Sequence, residues 1–217
     1  MTVQKSINDK NLSAKKPTDK ADTNLLTMTA ADAKSELYDL INKYSIFDRD
    51  SVLRSGRITN VFFDLDETTL SSRGSFLTAI CMLNMLKPNV KAIGGHLDSC
   101  YSLSVATSML ANISGQNIDC FYVQHEGHAK AYGKTKFIDG PLRPGTKVCL
   151  IQDLVTSGTN VIEMIRKLKE ELDVTVLQVV TVLDRNDGAV HRLDELGIDY
   201  TYIFSVKEFV KEEIYSY

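Results

Sequence analysis

Beyond about residue 28, the apolar positions of the chain alternate between two periods. Where they recur every three or four residues they predict helices. Where Val, Ile and aromatic residues form short runs they predict strands. Ala33 to Tyr44 places Leu37, Leu40 and Ile41 on one helical face. Asn60 to Leu65 predicts a strand, Ser75 to Leu86 a helix, Val90 to Ile93 a strand, Leu103 to Asn112 a helix and Ile118 to Val123 a strand. The polar segment Gln124 to Pro144 carries Gly127, Gly133, Gly140, Pro141 and Pro144 and predicts a long loop with room for a hairpin; loops of that length are often lids or binding loops. Lys147 to Gln152 predicts a strand, Gly158 to Leu172 a helix, Val174 to Leu183 a buried strand, Ala189 to Leu196 a short helix, Ile198 to Phe204 a strand and Val206 to Tyr215 a final helix. Such alternation predicts an α/β, doubly wound, mostly parallel sheet, preceded here by a small helical N-terminal hood.

Residues 1–28 have no apolar period and are rich in Lys, Asp, Asn, Ser and Thr, which predicts a disordered tail. That leaves residues 29–217 as one domain. A 43% hydrophobic and 24% charged composition is that of a globular protein. The net charge of -3 and pI near 5.8 give no basic excess, so nucleic acid is not an expected partner. The longest apolar run, Val174 to Leu183, is too short to span a bilayer, so no membrane association is expected. The N-terminus lacks an apolar core of the secretory type, and its Lys and three Asp are unlike an Arg-rich transit peptide. Cys81, Cys100, Cys120 and Cys149 are widely spread, which argues against structural zinc and for reduced thiols in a cytoplasmic protein, three of them in apolar surroundings.

The segment Val148 to Asn160 carries the most chemistry. An apolar strand ends at Asp153, and Thr156, Ser157, Gly158 and Thr159 follow just before a helix. Backbone N–H groups and hydroxyls at a helix N-terminus suit a phosphate dianion. Gly158 removes the side chain where a phosphate must come close. Asp153 can accept hydrogen bonds from sugar hydroxyls. The plainer alternative is that the hydroxyl residues cap the helix and the glycine makes the turn.

This segment resembles the phosphoribosyl-pyrophosphate motif of type I phosphoribosyltransferases, and three further segments narrow the likeness to orotate phosphoribosyltransferases. They are Leu53-Arg54-Ser55-Gly56-Arg57 followed by Phe62-Phe63, Gln124-His125-Glu126 followed by Lys130-Ala131-Tyr132-Gly133, and Leu183-Asp184-Arg185 with Gly188. They stand in the family's order over roughly residues 34–217. The resemblance implies transfer of a 5-phosphoribosyl group from phosphoribosyl pyrophosphate to N1 of orotate, with Mg2+ held mainly by the donor. It implies that Thr156, Ser157, Gly158 and Thr159 hold the 5-phosphate and that Asp153 faces the ribose hydroxyls. Arg185 and Thr156 would meet the orotate carboxylate, and Phe62 and Phe63 would lie beside the base. Lys130 would reach the pyrophosphate, His125 would stand with it in the catalytic loop, and Arg54 would keep the charge of a substrate-binding lysine. It implies a homodimer, since the mobile loop usually serves the neighbouring subunit.

Several residues depart from the family pattern. The first of its two adjacent acids is Gln152, and the Arg-Lys that opens its loop is Gln124-His125. Its glycine-rich turn reads Gly94-Gly95-His96-Leu97-Asp98-Ser99-Cys100-Tyr101. Each lost charged contact would weaken transition-state binding by about 1.5–3 kcal/mol. A second function is therefore a catalytically weak protein of this fold that binds a nucleotide or sugar phosphate in a regulatory or partner role. A third keeps the reaction and changes the acceptor base. A fourth is a haloacid dehalogenase-like phosphatase: Phe62 to Leu70 resembles its first motif, with Asp64 as nucleophile and Asp66 as acid. Arg185 could simply pair with Asp187, and one of Phe62 and Phe63 could be plain core.

Overall fold

A computed structural model describes residues 28–52, 58–124, 138–210 and 215–216. Two sheets divide the described elements. The hood holds helix α1 (Ala30–Tyr44) and the strands β1 (Ile46–Val52), β2 (Ile58–Phe63) and β9 (Tyr215–Ser216), which form an antiparallel sheet in the order β1-β2-β9. Between hood and main sheet run a short helix α2 (Asp66–Thr69) and helix α3 (Ser72–Met85). The main sheet has the order β5-β4-β3-β6-β7-β8, built from β3 (Ala92–His96), β4 (Asp119–Val123), β5 (Ile138–Asp139), β6 (Lys147–Val155), β7 (Thr175–Asp184) and β8 (Asp199–Ser205). All its pairings are parallel except β4–β5. Helices α4 (Leu97–Ile113), α5 (Thr159–Leu172) and α6 (Ala189–Asp194) complete the α/β layers.

Alternation along β6 sets the two cores. Cys149 and Ile151 face a cluster with Leu37 and Ile41 of α1, Leu77 of α3 and Leu103 of α4. Val148 and Leu150 face the opposite cluster, with Met164 and Leu168 of α5 and Leu193 of α6. A strand buried on both sides reads as the continuous apolar run seen in the sequence. Chain order reverses between β3 and β6, and such a switch point opens a crevice at the carboxyl ends of the strands.

Local signals account for the helix starts. Thr29 caps α1 by accepting a hydrogen bond from Asp32 N at 3.1 Å. Ser71 caps α3 by accepting from Gly74 N at 3.0 Å. Helices α3 and α4 begin earlier than their apolar periods suggest, at Ser72 and Leu97, because their first turns are polar and set by caps or by the preceding strand. Strand β6 runs on to Val155, so Asp153 lies inside it.

Three expectations need correction. The strand containing Phe62 and Phe63 belongs to the antiparallel hood, where its partner β1 is too polar (Asp48 lies within it) to read as a strand. The hood is therefore part helix, part sheet. The described residues do not give the expected helix over Val206 to Tyr215: Val206–Glu208 is a 3-10 turn that starts with a capping box between Ser205 and Glu208, Tyr215–Ser216 pairs with β2, and residues 211–214 lie outside the described ones. Lys and Glu at helical spacing carry no information about burial, so the tertiary pairing decides. The hairpin after β4 does form, with Tyr122 opposite Asp139 and Val123 opposite Ile138. The expected tail, residues 1–28, lies outside the described residues except for Met28. Cys81, Cys100 and Cys149 are buried free thiols and Cys120 is half-buried. Among the described residues no helix is long and apolar enough to cross a membrane.

Candidate functional site

The crevice at the carboxyl end of β6 is built by contiguous residues. Thr156, Ser157 and Gly158 link β6 to α5. Gly158 caps α5 with φ at 76°, a left-handed conformation that costs glycine little. A Cβ there would also come within 3.3 Å of the Ala189 Cβ, so the glycine lets α6 lie against the loop. The first backbone hydrogen bond of α5 runs from Ile162 N to Gly158 O at 2.9 Å. The N–H groups before Ile162 therefore have no partner inside the helix and are open to an anion. The hydroxyls of Ser157 and Thr159 lie 3.1 Å apart. Asp153 is half-buried just before the loop, and its backbone carbonyl accepts from Thr181 Oγ1 at 3.2 Å.

The neighbouring strand β7 brings Arg185 to the same edge. Its backbone N donates to Val155 O at 2.9 Å, tying the end of β7 to the start of the loop. Only 4% of Arg185 is exposed, and its guanidinium carbon lies 5.5 Å from the centre of the Phe63 ring. Phe63 is itself 6% exposed and packs edge-on against Phe209, which stacks on Tyr38 of α1 at 4.8 Å. Phe63 is thus hood core. Phe62 lies on the other face of β2, half-buried, tilted against exposed Phe47 at 6.4 Å. Preceding Arg185, Asp184 is fully buried and accepts a hydrogen bond from Tyr200 Oη at 3.0 Å. Burial raises its carboxyl above the ordinary range, the Tyr200 hydroxyl and the Asn186 backbone N–H offset part of that, and Asp187 adds a little to the rise.

The structure thus gathers Asp153, Thr156, Ser157, Gly158, Thr159, Arg185 and Phe63 along one edge and turns Phe62 to the opposite face of its strand. Arg54, His125 and Lys130 lie outside the described residues. Sequence reasoning missed Arg192 of α6, whose Nη1 donates to Ser157 O at 2.9 Å and to Thr159 Oγ1 at 2.8 Å. A basic residue one turn after a capping glycine was the available signal.

The glycines at the end of β3 serve packing. A Cβ at Gly94 would fall 2.0 Å from Phe121 O, and one at Gly95 2.6 Å from Ile151 O and 3.1 Å from Cys100 Sγ. Helix α4 starts directly after His96, which turns Cys100 inward and leaves Tyr101 outside, stacked on Tyr122 at 4.6 Å. Burial pushes the Cys100 thiol up to about 12, against a smaller opposing effect from Ser104, so it is an inert core group. Gln152 is 6% exposed and gives its Nε2 to Ile151 O at 2.7 Å. A neutral amide can settle in that apolar slot where a carboxylate would lose its hydration. Asp64 and Asp66 follow an antiparallel hood strand, not a parallel strand of the main sheet. A shallow open depression of about 320 Å³ between Lys91 and Lys147 lies at the opposite end of β3 and β6 and shares no residue with the crevice.

No family model matches the chain. The orotate phosphoribosyltransferase of Thermosynechococcus vestitus is 30% identical over 179 residues, covering 82% of this chain and 93% of that protein. Among solved structures, Mycobacterium tuberculosis H37Rv orotate phosphoribosyltransferase in complex with Fe(III) dicitrate matches with a TM-score of 0.69 and 25% identity, covering 82% of this chain and 98% of that one. The complex of the same enzyme with 5-phospho-alpha-D-ribosyl 1-diphosphate matches with a TM-score of 0.67 and 24% identity, over the same shares.

Proposed function

The chain belongs to the orotate phosphoribosyltransferase family, and from that premise we propose that it transfers a 5-phosphoribosyl group from phosphoribosyl pyrophosphate to orotate, giving orotidine monophosphate and pyrophosphate, a step of pyrimidine nucleotide biosynthesis. The observation that carries this reading for the chain itself is the convergence of the Thr156–Thr159 loop, Asp153 and Arg185 at one edge of the sheet.

In this reading the loop N–H groups and hydroxyls fix the 5-phosphate, and with it the sugar, so that the reacting carbon meets the base in a defined orientation. Asp153 accepts from the ribose hydroxyls as the sugar gains positive charge. Arg185 receives the orotate carboxylate with its planar fork, whose low hydration beside Phe63 favours that contact. Of the aromatic pair, Phe63 is the ring that lies at this edge beside Arg185, and Phe62 is on the opposite face of β2. Arg54, His125 and Lys130 take the pyrophosphate side. Mg2+ prefers oxygen ligands and keeps waters; Asp153 is a carboxylate of that kind at the strand end, and the donor's phosphates supply the rest. When bound, the ion would offset charge on the departing pyrophosphate.

We assign residues 29–217 to the phosphoribosyltransferase domain and residues 1–28 to a tail. A homodimer is supported by helix α4, where Tyr101, Met109 and Ile113 form a stripe with exposures of 56%, 61% and 64%. Buried free thiols suit the reducing cytoplasm.

The test follows orotate absorbance in the presence of phosphoribosyl pyrophosphate and Mg2+, with calorimetry of each ligand. Donor-dependent consumption of orotate is the expected result, and failure of both ligands to bind would overturn the reading. The buried, uncharged Gln152 favours one alternative, a weak or silent member in a regulatory or partner role; binding of both ligands without turnover would select it.

A further inference from the structure

Resting on the assignment of the Thr156–Thr159 loop to the 5-phosphate, we propose that Arg192 is a positioning residue that turns the loop hydroxyls into donors toward the phosphate and adds permanent charge to the site. The loop itself brings Asp153 and no base. Helix α6 closes on it through the Gly158–Ala189 contact, which places Arg192 beside the hydroxyl pair.

The hydrogen-bond directions carry the argument. Nη1 has two hydrogens, and the two acceptors are Ser157 O and Thr159 Oγ1. Thr159 Oγ1 accepts from a cation, which takes one of its two lone pairs and polarises its own hydrogen toward donation. That hydrogen reaches Ser157 Oγ at 3.1 Å or a bound phosphate oxygen directly. If it goes to Ser157, the Ser157 hydrogen is released for the phosphate. In both cases the hydroxyls present hydrogens, not lone pairs, to an anion, and a donor chain headed by a cation is polarised in that sense. Without Arg192 each hydroxyl is equally able to accept, and part of the population would turn a lone pair toward the ligand. Anchoring Ser157 O also fixes the peptide that leads into Gly158.

The test uses the full chain with phosphoribosyl pyrophosphate and Mg2+. Arg192→Gln is expected to raise the donor Kd about tenfold, the lower end for a charged hydrogen bond, with orotate Kd and Tm unchanged. KM for the donor should rise while kcat moves by less than about twofold. Arg192→Lys should recover part of the loss, since it keeps the charge and not the fork. The advantage of wild type over Arg192→Gln should grow as pH rises through about 6, where a phosphate monoester loses its second proton. Wild-type donor affinity in Arg192→Gln would overturn the proposal, as would an equal loss for donor and orotate together with a lower Tm. Gly158→Val, run in parallel, separates the two layers: if it too binds donor normally, the loop assignment falls, and if it does not, only the role of Arg192 is in question.

Discussion

The two sides of the crevice are assembled in different ways. The side proposed for the phosphate is a contiguous run, Asp153 to Thr159, held by one left-handed glycine and one helix start. The side proposed for the base is drawn from the whole chain: Tyr38 from α1, Phe63 from β2, Arg185 just after β7, and Phe204 and Phe209 from the C-terminal end. A local device depends on a few backbone angles and tolerates change elsewhere. A composite device depends on the hood packing onto the sheet, so its binding and its stability are coupled. Substitutions on the phosphate side should therefore remove ligand without unfolding the protein, and substitutions on the base side should do both.

The largest effect is expected at Gly158. Gly158→Val would demand a left-handed valine 3.3 Å from Ala189, displacing α6 from the loop. Loss of measurable donor affinity, with orotate binding and cooperative unfolding retained, is the expected calorimetric and thermal result. Retained donor affinity would show that the loop is only a turn. On the base side, Phe63→Ala is expected to lower unfolding free energy by about 3 kcal/mol, because a ring 6% exposed leaves a cavity among Tyr38, Phe209 and Arg185. Phe62→Ala should cost less than about 1 kcal/mol in chemical denaturation and leave orotate affinity at the wild-type level, since its ring faces Phe47 and not Arg185. Equal stability losses for the two would erase the distinction between the ring packed under Arg185 and the ring on the outer face of β2.

The same contrast explains what could be read from the chain before its structure. The strand, loop and helix around Gly158 were legible because their signal is local: an apolar run, then hydroxyls and a glycine, then a helical period. The main sheet was legible for the same reason, strand by strand. Strand β1 was not, because Asp48, Arg49 and Asp50 hide an edge strand whose partner is fixed by register with β2. The C-terminal segment misled because Val206 to Tyr215 has helical spacing, yet Tyr215–Ser216 pairs with β2, a partner fixed by tertiary structure. That Phe63 and not Phe62 is core depends on which face of β2 meets Phe209, and parity alone cannot supply this. Arg192 was missed because its partners are 35 and 33 positions away.

A smaller effect, of about tenfold to 100-fold, is expected for Arg185→Ala in orotate Kd, with donor Kd unchanged. Removing a cation from the Phe63 face also exposes that ring, so a modest drop in Tm should accompany it, as befits the composite side. Orotate affinity that stays at the wild-type level would remove Arg185 from the site and leave it as a hood-to-sheet clamp.

The smallest effect sharpens the boundary between the two sides. Asp184 pairs in register with Val155 toward the loop and with Ser205 toward the hood. Its carboxyl is held above the ordinary range chiefly by burial. A folded-state value above the unfolded one means that the folded chain binds this proton more tightly. The stability this gives is fully present below the ordinary carboxylate range and is lost as pH rises through the raised value. Above that raised value the ionised group works against folding. Asp184→Asn keeps an oxygen to accept from Tyr200 Oη and removes the buried charge. The variant should gain on wild type in thermal unfolding as pH rises from about 4 to 8, across the range above the free carboxylate value. A constant difference at every pH would mean that the folded-state carboxyl titrates at its ordinary value, its burial offset by a cation that pairs with it. The junction would then be held by charge and not by the Tyr200 hydrogen bond.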